Sequence, residues 1–254
     1  MTITPKSKNV LLSSILAVIS FFLVSFYQKN DKEISVAKPK KVLIFSKTNG
    51  WRHESIPAGI AAIKKLGVEN HFLVDATEDS LAINTKNLNQ YQVIIFLNTT
   101  GTILGKNEEL ALQEFMKKDK GFVGIHSASD CEFDWPWFGK MVGGYFVSHP
   151  KPQIAKLVVV NKDHLSTRHL PVIWERFDEW YNFKDLNPDV NVLLKIDESS
   201  YTGGKNGDNH PMAWYHEYGG GRVFYTALGH TNESYSDPLF LQHILGGITY
   251  AMGK

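Results

Sequence analysis

Residues 121–130 read GFVGIHSASD, an apolar run that ends in a turn of small residues around one histidine. The run at residues 121–126 is short and continuous, as in a strand that is buried on both faces of a parallel sheet. Small neighbours around His126 are typical of a strand-to-helix turn that presents one reactive side chain. An imidazole there is suited to act as a base or a metal ligand. The alternative is a structural histidine held by a backbone carbonyl.

Similar apolar runs recur upstream and alternate with helical spacing. Three further strands are predicted at residues 41–46 (KVLIFS), 71–74 and 91–97. Two helices are predicted at residues 56–66, ended by Gly67, and at residues 108–118. Alternation of strand and helix predicts an α/β fold with a doubly wound, mostly parallel sheet. Ligands of such sheets lie beyond the carboxyl ends of the strands.

The second half of the chain favours antiparallel strands. Strands are predicted at residues 154–160, 190–196, 212–218 and 222–228, and a helix at residues 238–252. Three consecutive glycines, residues 219–221, predict a hairpin turn between the last two strands. No internal repeat interrupts this order. We therefore expect one domain, residues 41–254, in which the later strands extend the sheet.

The N-terminus has the pattern of an export segment. Residues 10–27 are uncharged and mostly apolar, and Lys6 and Lys8 precede them. A basic start followed by an apolar run is typical of a secretory signal peptide or an uncleaved signal anchor. We expect residues 1–40 to be this segment plus a linker. Lysines on the N-terminal side predict that the body is periplasmic or secreted, with the membrane contacted only through this segment.

Composition excludes several classes of protein. The chain of 254 residues has 27 Lys+Arg against 26 Asp+Glu, which argues against a nucleic-acid partner bound through a general positive field. Its single cysteine, Cys131, excludes an intramolecular disulfide and a cysteine-rich metal cluster. The oligomeric state does not follow from the sequence.

The segment GWRHES at residues 50–55 follows the first predicted strand and places several functional groups in one turn. A helix N-terminus attracts anions, so Arg52 there is suited to bind a carboxylate, a phosphate or sugar hydroxyls. Glu54 or Ser55 can instead simply cap the helix. Capping accounts for those two residues but leaves Trp51, Arg52 and His53 as candidates for binding or catalysis.

Two more histidines and one acidic segment are further candidates. GGYF at residues 143–146 leads to His149, His230 ends the hairpin strand, and DEWY at residues 178–181, between two predicted strands, sets two carboxylates beside two aromatic rings. Acids among aromatics suit sugars, because rings stack on sugar faces and carboxylates bind hydroxyls, although they are also common on solvated turns. Three imidazoles and a carboxylate would suit zinc or another first-row divalent metal. No H-x-x-x-H or H-E-x-x-H spacing is present, so the sequence assigns no metal ligand and leaves the cofactor unknown.

The ordered series of motifs resembles the ThuA-like, or trehalose-utilisation, family over about residues 40–253. The motifs are GWRHESI (residues 50–56), GIHSASD (124–130), GGYFVSHP (143–150), DEWY (178–181) and HPMAWYHEYGGGRVFYTALGHTNESY (210–235). The resemblance implies the flavodoxin-like α/β sandwich of the class I glutamine amidotransferase-like superfamily. It also implies that His126 stands where amidotransferases hold their nucleophilic cysteine and that His230 falls near their catalytic histidine. Because Cys131 lies beyond the turn that presents His126, glutamine hydrolysis through a thiolate is not expected.

The resemblance implies a role in the use of trehalose, glycosides or oxidised keto-sugars. Our first hypothesis is an exported sugar-processing enzyme, a hydrolase, lyase or isomerase, in which His126 and His230 move protons, with His53 as a third catalytic candidate. Trp51 or Trp180 would stack on the saccharide. The predicted saccharide-binding residues are Trp51, Arg52, Glu54, Ser127, His149, Asp178, Glu179 and Tyr181. A non-catalytic carbohydrate-binding module and a metal-dependent hydrolase are the alternatives.

Overall fold

The structure is a computed structural model that describes Met1 and residues 38–253. Except for Met1 and residues 38–40, the predicted export segment lies outside the described residues. Among the described residues, no helix combines the length and the apolar content that crossing a membrane requires.

Strands and helices alternate in the first half of the described chain, and strands dominate the second. The strands are β1 Lys41–Phe45, β2 Leu73–Thr77, β3 Val93–Leu97, β4 Gly121–Ile125, β5 Tyr145–Ser148, β6 Gln153–Val159, β7 Ile173–Asp178, β8 Asn182–Lys184, β9 Asn191–Ile196, β10 Pro211–Tyr218 and β11 Gly221–Thr226. The helices are α1 Ile56–Glu69, α2 Thr85–Leu88, α3 Lys106–Met116, α4 Pro136–Val142 and α5 Pro238–Ala251.

In the described part of the chain, nine strands form one sheet in the order β2-β1-β3-β4-β11-β10-β9-β6-β7. The first five are parallel to one another, and β10, β9, β6 and β7 continue the sheet in antiparallel pairs. Seven of these nine strands therefore point the same way. The α/β fold with a mostly parallel central sheet is confirmed, as is the hairpin of β10 and β11.

The central strands form because their side chains are buried on both faces of the sheet. Every residue of β3 has no exposed surface, and β4 is buried throughout. Helix α1 covers the sheet with Ile56 and Ile63, and α5 does so with Phe240, Ile244 and Ile248. Burial of each such side chain stabilises the fold by about 1.5–3 kcal/mol. This apolar layer holds the carboxyl ends of the strands in place.

The structure differs from the predicted boundaries at Gly67, which does not end α1. The helix continues to Glu69, and Gly67 is buried where a Cβ atom would lie only 2.7 Å from the carbonyl oxygen of Phe72. Gly67 thus permits close approach of the chain after the helix. The second strand also begins later than predicted, at Leu73. The patterns of β5, β7, β8 and α4 were too short or too polar to be recognised.

Candidate active site

His126 lies at a strained turn directly after β4. Its φ of 52° is in the left-handed region, which a side chain with a Cβ atom rarely adopts. The Tyr225 hydroxyl donates a hydrogen bond to the His126 carbonyl oxygen at 2.7 Å. The ring is fixed as well, because its Nδ1 lies 2.7 Å from the carbonyl oxygen of Ala227. With Nδ1–H donating there, the Nε2 lone pair points away from that carbonyl.

The neighbouring strand β3 ends in the same way. Asn98 follows it with φ 51° and no exposed surface, and its Nδ2 donates to Ser55 Oγ at 2.9 Å. Ser55 is the N-cap residue of α1 but makes no side-chain capping bond, and its hydroxyl also lies 3.4 Å from the Gly229 carbonyl oxygen. These contacts tie together the chain segments that follow β1, β3 and β11. The histidines on those segments are thereby held close to one another.

Asp178, at the end of β7, positions His230. Its carboxylate accepts the backbone N–H groups of Gly229 and His230, each at 3.1 Å, and pairs with Arg176 at 3.0 Å. Gly229 has φ 109°, so the turn requires a residue without a Cβ atom. The carboxylate is fully buried. Asp178 therefore acts through the backbone rather than by facing a ligand.

Three polar atoms form a nearly equilateral triangle at the carboxyl edge of the sheet. His126 Nε2 lies 3.2 Å from His230 Nδ1 and 3.4 Å from Glu179 Oε2. His230 Nδ1 lies 3.3 Å from the same carboxylate oxygen. His53 joins them, and one donor atom from each of the four residues lies within 4.8 Å of all the others. We call His53, His126, Glu179 and His230 the histidine–glutamate cluster.

His53 meets the other imidazoles edge-on. Its ring centroid lies 4.8 Å from that of His126 and 5.3 Å from that of His230, with interplanar angles of 88° and 89°. Its Nδ1 is 3.4 Å from Ser127 Oγ. The second oxygen of Glu179, Oε1, lies 3.0 Å from His149 Nδ1. His53 and Glu179 are thus each in contact with a residue outside the cluster.

The protonation states follow from burial and mutual contact. Burial, together with the nearby His126 and His230, lowers the pKa of His53 to about 3, so this ring is neutral at pH 7. Burial opposes ionisation of Glu179, but its contacts with His126 and His230 outweigh it and hold the pKa of the carboxyl well below its usual range. Burial likewise opposes the charged form of His230, yet Glu179 raises its pKa. The cluster is therefore a neutral His53 beside an ionised carboxylate.

The cluster forms one wall of a cavity of about 520 Å³. The lining residues are Trp51, His53, Asp130, Phe146, His149, Pro152, Glu179, Tyr181 and His230. A smaller cavity of about 330 Å³ shares Trp51, His53 and His230 with it and extends along Glu54 and Ser55. The three aromatic rings provide faces for stacking, and the imidazoles and carboxylates provide hydrogen-bonding groups. A ring-shaped polar molecule fits this chemistry.

Of the residues predicted from the sequence, the structure brings His53, Trp51, His149, Glu179, Tyr181 and His230 to this cavity. Alternate members of the DEWY segment face it: Glu179 and Tyr181 line the cavity, whereas Asp178 and Trp180 are buried elsewhere. Of the two rings expected to stack on the saccharide, Trp180 has no exposed surface and its indole donates to the Gln153 carbonyl oxygen, whereas Trp51 lies at the cavity. The catalytic and binding roles of the residues at the cavity stay predictions.

Besides Asp178 and Trp180, four predicted residues lie outside the 520 Å³ cavity. Arg52 forms a two-point ion pair with Glu78, and both side chains are about half exposed. Glu54 lines only the smaller cavity. Ser127 is buried behind His53, and His126 is buried behind Tyr181, whose ring centroid is 4.4 Å from its own. Ser127 and His126 are therefore placed to support the residues that line the cavity, whereas the Arg52 side chain is paired with Glu78 at the surface.

Asp130 and Phe146 line the cavity although sequence reasoning did not single them out. Both belong to quoted motifs, Asp130 to GIHSASD and Phe146 to GGYFVSHP. Burial raises the pKa of Asp130 to about 6. A carboxyl group that titrates near neutral pH beside a polar centre is suited to move protons.

Fold and site together define an α/β protein with a polar centre at the carboxyl ends of its parallel strands. The model of the ThuA family, described as trehalose utilisation, matches residues 41–251. The chain belongs to the ThuA family, and a carbohydrate-related role follows at the level of the family.

Solved structures agree with this assignment. A ThuA-like protein from Bacteroides uniformis is 26% identical with a TM-score of 0.72, over 85% of this chain and 92% of that one. A ThuA-like protein from Parabacteroides merdae is 20% identical with a TM-score of 0.71, over 85% and 91%. A β-galactosidase from Bacillus circulans shares the fold alone, at 12% identity and a TM-score of 0.56, over 85% of this chain and 31% of that one. Comparison with curated proteins finds no match.

Proposed function

We propose that this protein is a carbohydrate-processing enzyme whose reacting centre is the histidine–glutamate cluster. The observation that carries the proposal is the convergence of three imidazoles and one carboxylate, with His53, Glu179 and His230 of this cluster lining an aromatic-lined cavity. Its substrate class is a saccharide, such as trehalose, another glycoside or an oxidised keto-sugar. The family supports the class of molecule, and the cavity supports the place of the chemistry.

The aromatic rings of the cavity would orient the saccharide. Trp51 is 73% exposed at the rim, while Tyr181 and Phe146 pack together with ring centroids 4.2 Å apart. Sugar rings present apolar C–H faces that such aromatic surfaces cover, and the remaining hydroxyls need polar partners. Glu179 and His149, joined by a 3.0 Å contact, supply those partners on one wall.

The cavity divides the chemical work between buried and accessible groups. His126 does not line the cavity and its Nδ1 is engaged by Ala227, so we assign it to holding Glu179 and His230. The cluster residues that line the cavity, His53, Glu179 and His230, would hold and polarise a substrate oxygen. Asp130 and His149, on the cavity wall, are placed to move the proton. A hydrolase, a lyase and an isomerase each need this combination.

Export is part of the proposal. The basic and apolar pattern of residues 1–40 supports delivery of the domain outside the cytoplasm, where it would meet saccharides from the surroundings. Fractionation of cells that express the full chain tests this directly. Recovery of the protein only from the cytoplasm would contradict it.

The test is conversion of a saccharide panel that contains trehalose, other disaccharides and their keto forms. Binding is measured by calorimetry and products by chromatography with mass spectrometry. We expect conversion of at least one compound and its loss in Glu179→Gln, which keeps the shape of the side chain and removes its charge. The matched control is Glu175→Gln, because Glu175 is exposed on the same segment.

Two outcomes would overturn the proposal. Full conversion by Glu179→Gln would show that the chemistry runs elsewhere. Binding of saccharides without any product would instead identify a carbohydrate-binding module.

A further inference from the structure

We propose that the histidine–glutamate cluster binds one divalent cation of a first-row transition metal. The proposal deepens the proposed function, on which it rests for the cation's role, while the binding itself stands on the geometry of four side chains. Those side chains come from four separate segments, which is why no metal-binding spacing is visible along the chain. His53 follows β1, His126 follows β4, Glu179 follows β7 and His230 follows β11.

The distances within the cluster match the size of such a cation. A metal with ligands at about 2.0–2.1 Å in tetrahedral arrangement separates neighbouring donor atoms by about 3.3–3.4 Å. The three edges among His126 Nε2, His230 Nδ1 and Glu179 Oε2 are 3.2, 3.4 and 3.3 Å. These atoms thus form one face of a coordination sphere. The donor atom of His53, within 4.8 Å of all three, supplies a fourth ligand.

The chemistry of the donors points to a transition metal. Imidazole nitrogen with one carboxylate suits zinc, copper, iron and nickel, whereas calcium and magnesium prefer oxygen alone. With its Nδ1–H donating to the Ala227 carbonyl oxygen, His126 presents its Nε2 lone pair to the cluster, 3.4 Å from Glu179 Oε2. A cation inside the triangle can accept both atoms as ligands at once.

Residues outside the cluster orient the ligands as in metal centres. A ligating histidine normally donates its other ring N–H to a carbonyl, a carboxylate or water. His126 does so toward the Ala227 carbonyl oxygen, and Ser127 Oγ lies beside His53 Nδ1. The second oxygen of Glu179 is in contact with His149, and Asp178 fixes the backbone of His230. Every proposed ligand therefore has a partner that sets its direction.

The position of the cluster gives the cation a role. Three of the four ligands line the 520 Å³ cavity, so a hydroxyl or carbonyl oxygen of a saccharide can approach the cation from that side. A divalent cation polarises such an oxygen as a Lewis acid. Asp130 and His149 lie on the same cavity wall and stay available for proton transfer, since neither belongs to the four ligands.

The test uses the full chain, stripped with a chelator and titrated by calorimetry with Zn²⁺, Mn²⁺ and Co²⁺ alone. We expect one equivalent to bind per chain and the Co²⁺ form to show visible absorption bands of a low-coordinate nitrogen and oxygen site. Glu179→Gln and His230→Ala should each weaken binding by more than about 100-fold, since loss of an outer partner alone costs about 10–100-fold. Circular dichroism checks that each variant is folded.

His71→Asn is the matched control. His71 is exposed before β2, at the opposite ends of the strands from the cluster, and its φ of 59° is one that asparagine tolerates. This variant should bind the three metals as the unchanged chain does. Two results would overturn the proposal: no metal binding by the unchanged chain, or binding by Glu179→Gln and His230→Ala that equals that of the unchanged chain. The titration and the Co²⁺ spectrum of the unchanged chain test the proposal even if both variants fold poorly.

The outcome also separates this proposal from the proposed function. If chelated protein with no metal bound still converts a saccharide, the proposed cation site is wrong and the proposed enzymatic function stands. If one metal binds tightly but no saccharide is bound or converted, the cation site is supported and the carbohydrate function is wrong.

Discussion

The cavity at the histidine–glutamate cluster and a second, larger cavity differ in how their polar groups are held. The larger one, about 740 Å³, lies between α4, the loop after β8 and the end of β10, and it shares no lining residue with the 520 Å³ cavity. Its charged lining side chains, Lys140, Asp185, Asp189 and Glu217, are all exposed. In the 520 Å³ cavity, by contrast, Glu179 and His53 are each only 5% exposed.

This difference shows that volume alone does not locate the chemistry. Exposed charges are solvated, so their fields are weak and their positions are loosely set. Buried donors with several partners are fixed, and their mutual contacts shift their pKa values, as at His53 and Glu179. The 520 Å³ cavity is therefore the candidate site. Matched substitutions, one in each cavity, test this choice.

The largest effect is expected from removal of one carboxylate charge in each cavity. Glu179→Gln should lower kcat/KM for a converted saccharide by at least about 100-fold, because loss of one fixed polar group at a reacting centre costs about 10²–10³-fold. Glu217→Gln, in the larger cavity, should leave it unchanged. Steady-state kinetics measure both. Equal losses in the two variants, or a loss in Glu217→Gln alone, would move the site to the other cavity.

The next effect concerns acid stability and His216, which lies at the larger cavity. Burial lowers the pKa of His216 to about 4 in the folded protein, against about 6.5 when unfolded. The unfolded chain therefore binds more protons between these values, and stability falls as the pH drops through that window. From pH 7 to pH 5 this histidine alone should cost about 2 kcal/mol of unfolding free energy.

His216→Gln should remove that part of the loss, since glutamine does not titrate. Urea unfolding of both chains at pH 7 and pH 5 measures the difference. An equal acid loss in His216→Gln and the unchanged chain would show that His216 is not buried in a neutral form.

Removal of one aromatic ring from each cavity should have a smaller effect. Trp51→Ala takes away a stacking surface worth about 0.5–1.5 kcal/mol, which corresponds to a dissociation constant raised about two- to tenfold. Phe133→Ala, which removes a 42% exposed ring from the larger cavity, should not change saccharide affinity. Calorimetry measures the dissociation constant of the saccharide for both variants. Weaker binding in Phe133→Ala alone would place the saccharide in the larger cavity.

The smallest effect is expected at Arg52. The sequence predicts that it binds substrate, whereas the structure pairs it with Glu78 at the surface. An exposed pair contributes about 0–1 kcal/mol, so Arg52→Ala should change neither kcat/KM nor stability by more than a few-fold or about 1 kcal/mol. A tenfold loss of kcat/KM with unchanged stability would restore the sequence prediction.

The fold could be predicted because its deciding strands are buried on both faces. Such strands appear in the sequence as continuous apolar runs, as in β1, β3 and β4, and their order with α1 and α3 indicates a parallel sheet. β7 was missed because Glu175 and Arg176 interrupt its apolar pattern. Gly67 misled the boundary of α1, since its role is close packing rather than helix termination.

Part of the site could be predicted for the same reason. His53, His126 and His230 follow parallel strands, and the carboxyl ends of parallel strands meet at one edge. Glu179 was predicted only as a saccharide-binding residue. Three strands separate β7 from β11 in the sheet, yet Asp178 returns to the turn at Gly229. That contact depends on tertiary packing of the antiparallel strands, which local pattern does not encode.

The most direct measurement is a crystal structure of the protein with a saccharide that calorimetry shows to bind. We expect the sugar in the 520 Å³ cavity, with a hydroxyl or carbonyl oxygen within about 3.5 Å of a cluster donor atom or of a metal held by the cluster. A sugar in the 740 Å³ cavity, with the 520 Å³ cavity free of it, would show that the histidine–glutamate cluster is not the saccharide site.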